Sequence, residues 1–321
     1  ITPETGTLTQ GLGGFQEAHQ LPMFAEFTKY QAHVSNNKRM AELTARAFDR
    51  ALLEMGPTQL NIPRDLFYGD ITVEIPKPIR IERGAGGVES LNAAADLIAN
   101  AKFPVMISGG GVVMGDAFKE AIALAERIGC PVVNSYQHND SFPASHPQWC
   151  GPLGYQGSKA GMRLISQEKD AFSLDMIEEA KGEKPFSGGG WLHPRQVLRE
   201  LEKAMPAHVM VSTDIGNINS VAHSYLRFEE PRSFFAPMSF GNCGYALPTI
   251  IGAKVARPDR PAISYAGDGA WGMSLSEIMT AVRHDIPVTS VVFHNRQWGA
   301  EKKNQVDFYN RRFVAGELDN Q

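Results

Sequence analysis

The sequence predicts an α/β protein built from parallel sheets flanked by helices. Three observations predict it. Short apolar runs at 131–134, 208–212, 261–266 and 288–293 read as strands buried on both faces. Amphipathic helical patterns, such as 117–128 and 194–201, stand between them. Glycine-rich turns follow two of the strands directly, at Gly109-Gly110-Gly111 and Gly267-Asp268-Gly269. Open parallel sheets bind ligands at such strand ends. A chain of 321 residues with 43% apolar content suffices for two domains or parts of three.

Residues 1–34 carry no helix cap or initiating methionine and read as entering a fold midway. Residues 1–3 suit a strand end, 5–14 a loop, and 21–30 a short amphipathic helix. A clearer helix covers 39–55, with Met40, Leu43, Ala47, Ala51 and Leu52 as its apolar stripe; Gly56-Pro57 ends it. Residues 58–62 form a strand closed by Pro63. The connector 69–87 holds a candidate edge strand at 71–75, stiffened by Pro76 and Pro78 and loosened by Gly84, Gly86 and Gly87.

A second α/β unit begins with a helix from Val88 to near Lys102, burying Leu91, Ala94, Ala95 and Ile98, then a strand at 104–108. Gly109-Gly110-Gly111 lacks the spacing of a dinucleotide fingerprint and reads as a tight turn, with no flavin expected. A helix at 117–128 and a strand at 131–134 follow, and 151–166 reads as a loop entering a helix. The helix then runs abruptly into the charged 167–170 and a Gly/Lys-rich linker ending at Gly190. A segment missing between Ser166 and Gln167 is expected on this ground.

In the last third, Pro194 opens a helix with Val197, Leu198 and Leu201 on one stripe. A strand at 208–212 ends in Thr213-Asp214-Ile215-Gly216-Asn217, and 247–255 is a helix of low polarity. The strand at 261–266 stops at Gly267-Asp268-Gly269. A helix with Leu275, Ile278, Met279 and Val282 on one face leads to the strand at 288–293, which stops at His294-Asn295. Asp268 and Asn295 are far apart in sequence, but adjacent parallel strands set their ends side by side. A carboxylate and an amide oxygen are donors that magnesium accepts while completing its shell with water and phosphate oxygens. The glycines leave room for a diphosphate at the helix start, where free N–H groups favour an anion. The structural alternative is an ordinary turn with Asp268 as a helix cap.

Composition excludes several classes. Net charge is −4 and the isoelectric point about 6.2, which argues against nucleic acid or an anionic membrane surface as partner. Cys130, Cys150 and Cys243 lack paired or metal-type spacing, which suits a reducing cytoplasm. No apolar run spans a bilayer and no secretory signal is evident.

The GDG turn and the later HN pair resemble the motif of the thiamine diphosphate enzymes, usually written GDG…NN, with His294 in place of the first Asn. The resemblance implies a three-domain thiamine diphosphate-binding architecture, here incomplete. It implies 1–78 as the end of a pyrimidine-binding domain, 79–166 as the first part of a central domain, 167–190 as linker, and 191–321 as a diphosphate-binding domain incomplete at its C-terminus. Asp268, Asn295 and the backbone carbonyl of Gln297 would hold Mg2+. Cofactor contacts would come from Gly216, Asn217, Ile218, Gly241, Asn242, Cys243, Gly267, Asp268, Gly269, Ala270, Asn295, Gln297, Trp298 and Gly299. Cys243 takes the place of the bulky residue that bends the cofactor, and reads as a packing group rather than a nucleophile. The loop ending at Phe15-Gln16-Glu17 would approach the cofactor, with Gln16 a substrate contact; otherwise it is a solvated loop end. The family's catalytic Glu would lie upstream of Ile1, so no catalytic residue is assigned.

Beyond that motif, GTLTQGLGGFQE, LHPRQVLRELEKAMP and NRQWGAEKKNQVDFYNRRF resemble the sulfoacetaldehyde acetyltransferase family. The resemblance implies conversion of sulfoacetaldehyde and phosphate to acetyl phosphate and sulfite through an acetyl group carried on the cofactor, in a cytoplasmic homodimer or homotetramer of sulfonate degradation. Arg296, Lys302, Lys303, Arg311 and Arg312 then read as a basic lid gathering anionic substrates, with Arg296 and Arg312 favoured over Lys302; a solvated basic face is the alternative. Two other functions stay open: an acetolactate synthase-like carboligase or 2-oxo acid decarboxylase, and a non-catalytic cofactor-binding chain.

Overall fold

A computed structural model of the chain describes residues 1–14, 17–79, 84–154, 157–166, 192, 194–238 and 240–318. By contact density the chain divides into two units, Ile1–Gly86 and Gly87–Gln321. In both, every pairing between the named strands of the described residues is parallel, so the architecture is α/β with three parallel sheets flanked by helices.

The first unit contains β1 (Thr2–Glu4), α1 (Gln20–Phe24), β2 (Tyr30–His33), α2 (Met40–Glu54) and β3 (Thr58–Pro63). β3 lies between the other two strands, with Thr2 opposite Asn61 and Tyr30 opposite Thr58. Leu43 and Ala47 of α2 bury against Val34, Leu60 and Ile62, so the helical stripe read from the sequence supplies this core. Leu52, on the same pattern, stays exposed. The helix expected over 21–30 stops early. A 3-10 turn at Ala25–Phe27 closes it, and Tyr30 already starts β2. The polar residues of that strand find partners across the sheet, as the Gln31 amide donates to the Leu21 carbonyl and to Gln59 Oε1, each at 2.6 Å. Residues 71–75 form no strand; their alternating pattern meets no pairing edge among the described residues.

The second unit opens with α3 (Val88–Ala99), then β4 (Met106–Ser108), α4 (Gly110–Met114), α5 (Phe118–Ile128), β5 (Val132–Asn134), β6 (Trp149–Pro152) and α6 (Lys159–Ile165). The three-glycine turn after β4 passes straight into α4. Strand β6, absent from the sequence reading, pairs with β5. The Ser166–Gln167 junction and the linker 167–190 lie outside the described residues. Next come α7 (Pro194–Ala204), β7 (Met210–Thr213), α8 (Asn217–Tyr225), β8 (Phe234–Phe235), α9 (Ala246–Ala256), β9 (Ala262–Gly267), α10 (Asp268–Met273), α11 (Ile278–Arg283), β10 (Thr289–Phe293) and α12 (Gly299–Phe308).

These last strands form one sheet in the order β10-β9-β7-β8. Its core gathers Leu198, Val211, Ile218, Ala222 and Tyr265. The stripe Leu275, Ile278, Met279 and Val282 is exposed rather than buried. The helix breaks at Ser274 into a 3-10 turn, so the spacing no longer maps onto one inward face, and Ala281 alone of α11 is buried. Asn139 and Asp140, both buried, join the two sheets of this unit. The Asn139 amide donates to the carbonyls of His223 (3.1 Å) and Leu226 (3.0 Å), and Asp140 accepts the N–H groups of Ser233 (2.8 Å) and Phe234 (3.3 Å).

Candidate cofactor and metal site

The register of the last sheet sets Phe293 opposite Gly267, so β9 and β10 end side by side. Asp268 leaves β9 as the first residue of α10 and is almost fully buried. One carboxylate oxygen, Oδ2, faces His294 Nδ1 at 2.8 Å and accepts the N–H groups of Asn295 (3.1 Å) and Arg296 (2.6 Å). The other, Oδ1, accepts only the Gly269 N–H among the described residues, at 2.9 Å. Asp268 and Asn295 therefore meet at the strand ends, and Oδ1 keeps spare acceptor capacity. Asn295 turns its own Oδ1 onto the Gln297 N–H at 3.1 Å. His294 takes its place here by donating to Asp268, a bond that an amide could also make.

The neighbouring strand end completes the surround. β7 runs out through Asp214 and Ile215 to Gly216, whose φ of +123° is open to glycine and strained for other residues. Asn217 then starts α8. A methyl placed on Gly299 would lie 3.0 Å from Asn295 Nδ2 and 3.4 Å from Asn217 Nδ2, so these residues form one cluster. A methyl on Gly269 would lie 2.8 Å from the Trp298 indole, which covers the GDG turn. Gly241, at φ +75°, approaches Ile215 and brings the 241–244 turn to the same end of the sheet. Asn242 is exposed and Ala270 is buried in α10. Ile218 sends its side chain into the core.

Asp214 is a residue the sequence reading quoted without assigning a role. Fully buried, its carboxylate accepts N–H groups from Ile215 (3.1 Å), Gly244 (3.0 Å) and Ala246 (3.0 Å), tying the β7 exit to the 241–244 turn. Burial pushes its carboxyl above the usual range while these N–H groups pull it back. The one available signal was its position, an Asp at a strand end just before a glycine and a helix, as at Asp268. Burial, with the Asp214 and Glu301 carboxylates, pushes the Cys243 thiol up, which disfavours a thiolate there.

The basic residues divide. Lys302 pairs with Glu317 and lies 5.2 Å over the Phe313 ring, and Lys303 pairs with Asp307 at 2.5 Å. Arg296 and Arg312 are exposed and make no ion pair among the described residues. Gln16 lies outside the described residues. No cluster of three or more His, Cys, Asp or Glu suited to a metal occurs among the described residues. A cation here would rest on one carboxylate plus amide and carbonyl oxygens, which is how magnesium is held beside phosphate. The residues present therefore fit a magnesium-bound diphosphate: a half-free carboxylate oxygen, a neighbouring amide, an open glycine turn and helix starts at two strand ends.

Comparison with known proteins agrees with this geometry. The model of the thiamine pyrophosphate enzyme C-terminal TPP-binding domain matches residues 214–321, and that of the thiamine pyrophosphate enzyme central domain matches 91–172. A sulfoacetaldehyde acetyltransferase from Alcaligenes xylosoxydans xylosoxydans is 59% identical, covering 100% of this chain and 70% of the relative. One from Castellaniella defragrans is 58% identical with the same coverage. A probable acetolactate synthase large subunit from Methanocaldococcus jannaschii is 24% identical over 97% of the chain and 67% of the relative. The match to the first relative spans 421 positions against the chain's 321 residues, a surplus of 100 inside the matched stretch. The chain belongs to the thiamine pyrophosphate enzymes, in the family of the sulfoacetaldehyde acetyltransferases.

Proposed function

We propose that the protein is a thiamine diphosphate- and Mg2+-dependent sulfoacetaldehyde acetyltransferase, converting sulfoacetaldehyde and phosphate to acetyl phosphate and sulfite. The observation that carries this is the meeting of Asp268 and Asn295 at adjacent strand ends, in a chain 59% identical to a sulfoacetaldehyde acetyltransferase. Asp268, the Asn295 side chain and the Gln297 carbonyl would hold Mg2+. Backbone N–H groups at Gly216, Asn217 and Ile218 and at Gly267 to Ala270 receive the diphosphate. Gly241, Asn242 and Cys243 line the pyrimidine, and Trp298 and Gly299 close the metal side. When bound, thiamine diphosphate would supply carbanion chemistry at the aldehyde carbon.

The chain's own contribution is to orient and to bind anions. Arg296 and Arg312, exposed and without ion-pair partners among the described residues, hold sulfonate and phosphate; Lys302 is less suited because Glu317 already engages it. The domain reading (1–78 pyrimidine-binding, 79–166 central, 167–190 linker, 191–321 diphosphate-binding) belongs to the same proposal. So do a homodimer or homotetramer, a cytoplasmic location and a place in sulfonate degradation. The three free cysteines suit a reducing compartment. The 24% identity to the acetolactate synthase relative makes a carboligase the weaker reading.

The test is incubation of the purified protein with sulfoacetaldehyde, phosphate, Mg2+ and thiamine diphosphate. Sulfite and acetyl phosphate should appear in equal amounts, and each should depend on phosphate. Acetolactate formed from pyruvate, with no sulfite from sulfoacetaldehyde, would overturn the assignment.

A further inference from the structure

The loop that carries Asn295 and Gln297 is gripped from two sides, and only one grip belongs to the motif. From below, Asp268 accepts the N–H groups of Asn295 and Arg296. The other grip comes from the chain after α12. There Gln305 fastens the returning segment by donating to the Val314 carbonyl at 2.8 Å and accepting the Val314 N–H at 3.2 Å. Asn310, Arg311 and Ala315 adopt positive φ values of 50°, 61° and 51° in this reversal. Residues 316–318 then run antiparallel to 296–298. The Trp298 N–H donates to the Gly316 carbonyl at 2.9 Å, and the Leu318 N–H donates to the Arg296 carbonyl at 2.7 Å. Lys302, from the first turn of α12, pairs with Glu317 and covers Phe313.

The register decides what this pairing does. Gln297 stands opposite Glu317 with both bonds made by their neighbours, the widely spaced pair of an antiparallel ladder. In such a pair each residue's own N–H and C=O point away from the facing strand. The Gln297 N–H does so, reaching Asn295 Oδ1 at 3.1 Å. The same ladder geometry directs its carbonyl away from Glu317 as well. Arg296, at φ +57°, holds a conformation that a non-glycine residue keeps only when its surroundings enforce it.

We propose that residues 316–318 are a positioning strand for the metal loop: the Leu318 N–H and the Gly316 carbonyl fix Arg296 and Trp298 so that the Gln297 carbonyl faces the side of Asn295. Lys302 serves as its anchor through Glu317. This rests on the metal-site reading above for its consequence, but the pairing can be tested apart from it.

The test compares two prolines. Leu318→Pro deletes the N–H that bonds Arg296; Glu317→Pro deletes an N–H that the register leaves without a ladder partner. Glu317→Gln, measured alongside, isolates the ion pair to Lys302. In the metal-free protein, hydrogen exchange is followed by mass spectrometry over a peptide containing residues 294–299. Separately, Mg2+ is titrated with thiamine diphosphate present, read by tryptophan fluorescence. Leu318→Pro should speed exchange in that peptide and raise the Mg2+ half-saturation concentration about 10-fold, the usual effect of losing an outer support of a metal ligand. Glu317→Pro should shift both less than Leu318→Pro and no further than Glu317→Gln, because both Glu317 variants lose only the ion pair to Lys302, and the thermal midpoint of the metal-free protein should stay close to the parent's in all three variants. Equal shifts from the two prolines, or parent-like exchange and titration in Leu318→Pro, would overturn the proposal. A parent protein that binds no Mg2+ with thiamine diphosphate would refute the metal-site reading instead, while the exchange comparison would still decide the pairing.

Discussion

Asp268→Asn separates the two duties of the central carboxylate. In the parent, Oδ2 faces three donors at 2.6–3.1 Å, and Oδ1 accepts one N–H among the described residues, which leaves it spare acceptor capacity. An asparagine has one oxygen and must choose. Placing its NH2 at the Oδ2 position would set it against the N–H groups of Asn295 and Arg296, so the oxygen stays there and the NH2 takes the place of Oδ1. Three bonds at the Oδ2 position then lose their charge assistance, about 1 kcal/mol each by the difference between charged and neutral acceptors, and the Gly269 N–H loses its acceptor altogether. Because such terms are not additive, the expected cost to loop order is about 2–4 kcal/mol. The cation loses its only anionic protein ligand in this set and meets a donor instead. Mg2+ half-saturation, titrated with thiamine diphosphate present, should rise about 100-fold, the equivalent of about 2.7 kcal/mol. Circular dichroism of the metal-free variant separates a misfolded chain from a folded one with a spoiled site. A folded Asp268→Asn protein that binds Mg2+ within twofold of the parent would refute this reasoning, because the carboxylate would then not face the ion.

Two further outcomes follow from the same geometry. Gly269→Ala puts a methyl 2.8 Å from the Trp298 indole, whose backbone is held by Gly316, so the ring must swing off the GDG turn. Overpacking of this kind costs about 1–3 kcal/mol; a lower thermal midpoint and a shifted tryptophan emission are expected, and unchanged values of both would contradict the packing. Asp140 is buried, and burial raises its carboxyl although the Ser233 and Phe234 N–H groups oppose the shift. A raised folded-state value means that the native state retains a proton which the unfolded chain releases. Its contribution to stability is therefore present below the unfolded-state value and lost as pH rises through the folded one. Asp140→Asn, a mimic of the protonated form, should gain stability relative to the parent as pH rises from 4 to 7 (order-of-magnitude bounds about the carboxylate range); a difference flat in pH across denaturant unfolding series would contradict this.

Much of the fold was legible because parallel strands buried on both faces need continuous apolar runs, as at β9 and β10, and these have few other readings. Where burial is partial, the same rules failed. Tyr30–His33 is a strand with little apolar signal, held by side-chain bonds across the sheet, and it followed residues that favour a helix. The alternation at 71–75 looks like a strand but has nothing to pair with among the described residues. Periodicity reports which faces are apolar, not whether a neighbour is present, and Leu275, Met279 and Val282 make the same point from a helix.

The site divides along a similar line. Side-chain chemistry leaves a trace in sequence, so Asp268 and Asn295 could be paired from their spacing and the strand ends on which they sit. Backbone bonds leave none. The Gly316 carbonyl and Leu318 N–H would bond the 296–298 segment equally well with other residue types at those positions, so no motif could have marked them. Asp214 falls between the two cases: its carboxylate is visible in the sequence, but its partners are the N–H groups of Ile215, Gly244 and Ala246. It follows that the side chains that meet at such a site can be named from sequence while the rigidity that holds them together cannot. Rigidity here comes from a carboxylate that organises the amides of Asn295 and Arg296, and from a short antiparallel strand that holds the opposite edge of the same loop.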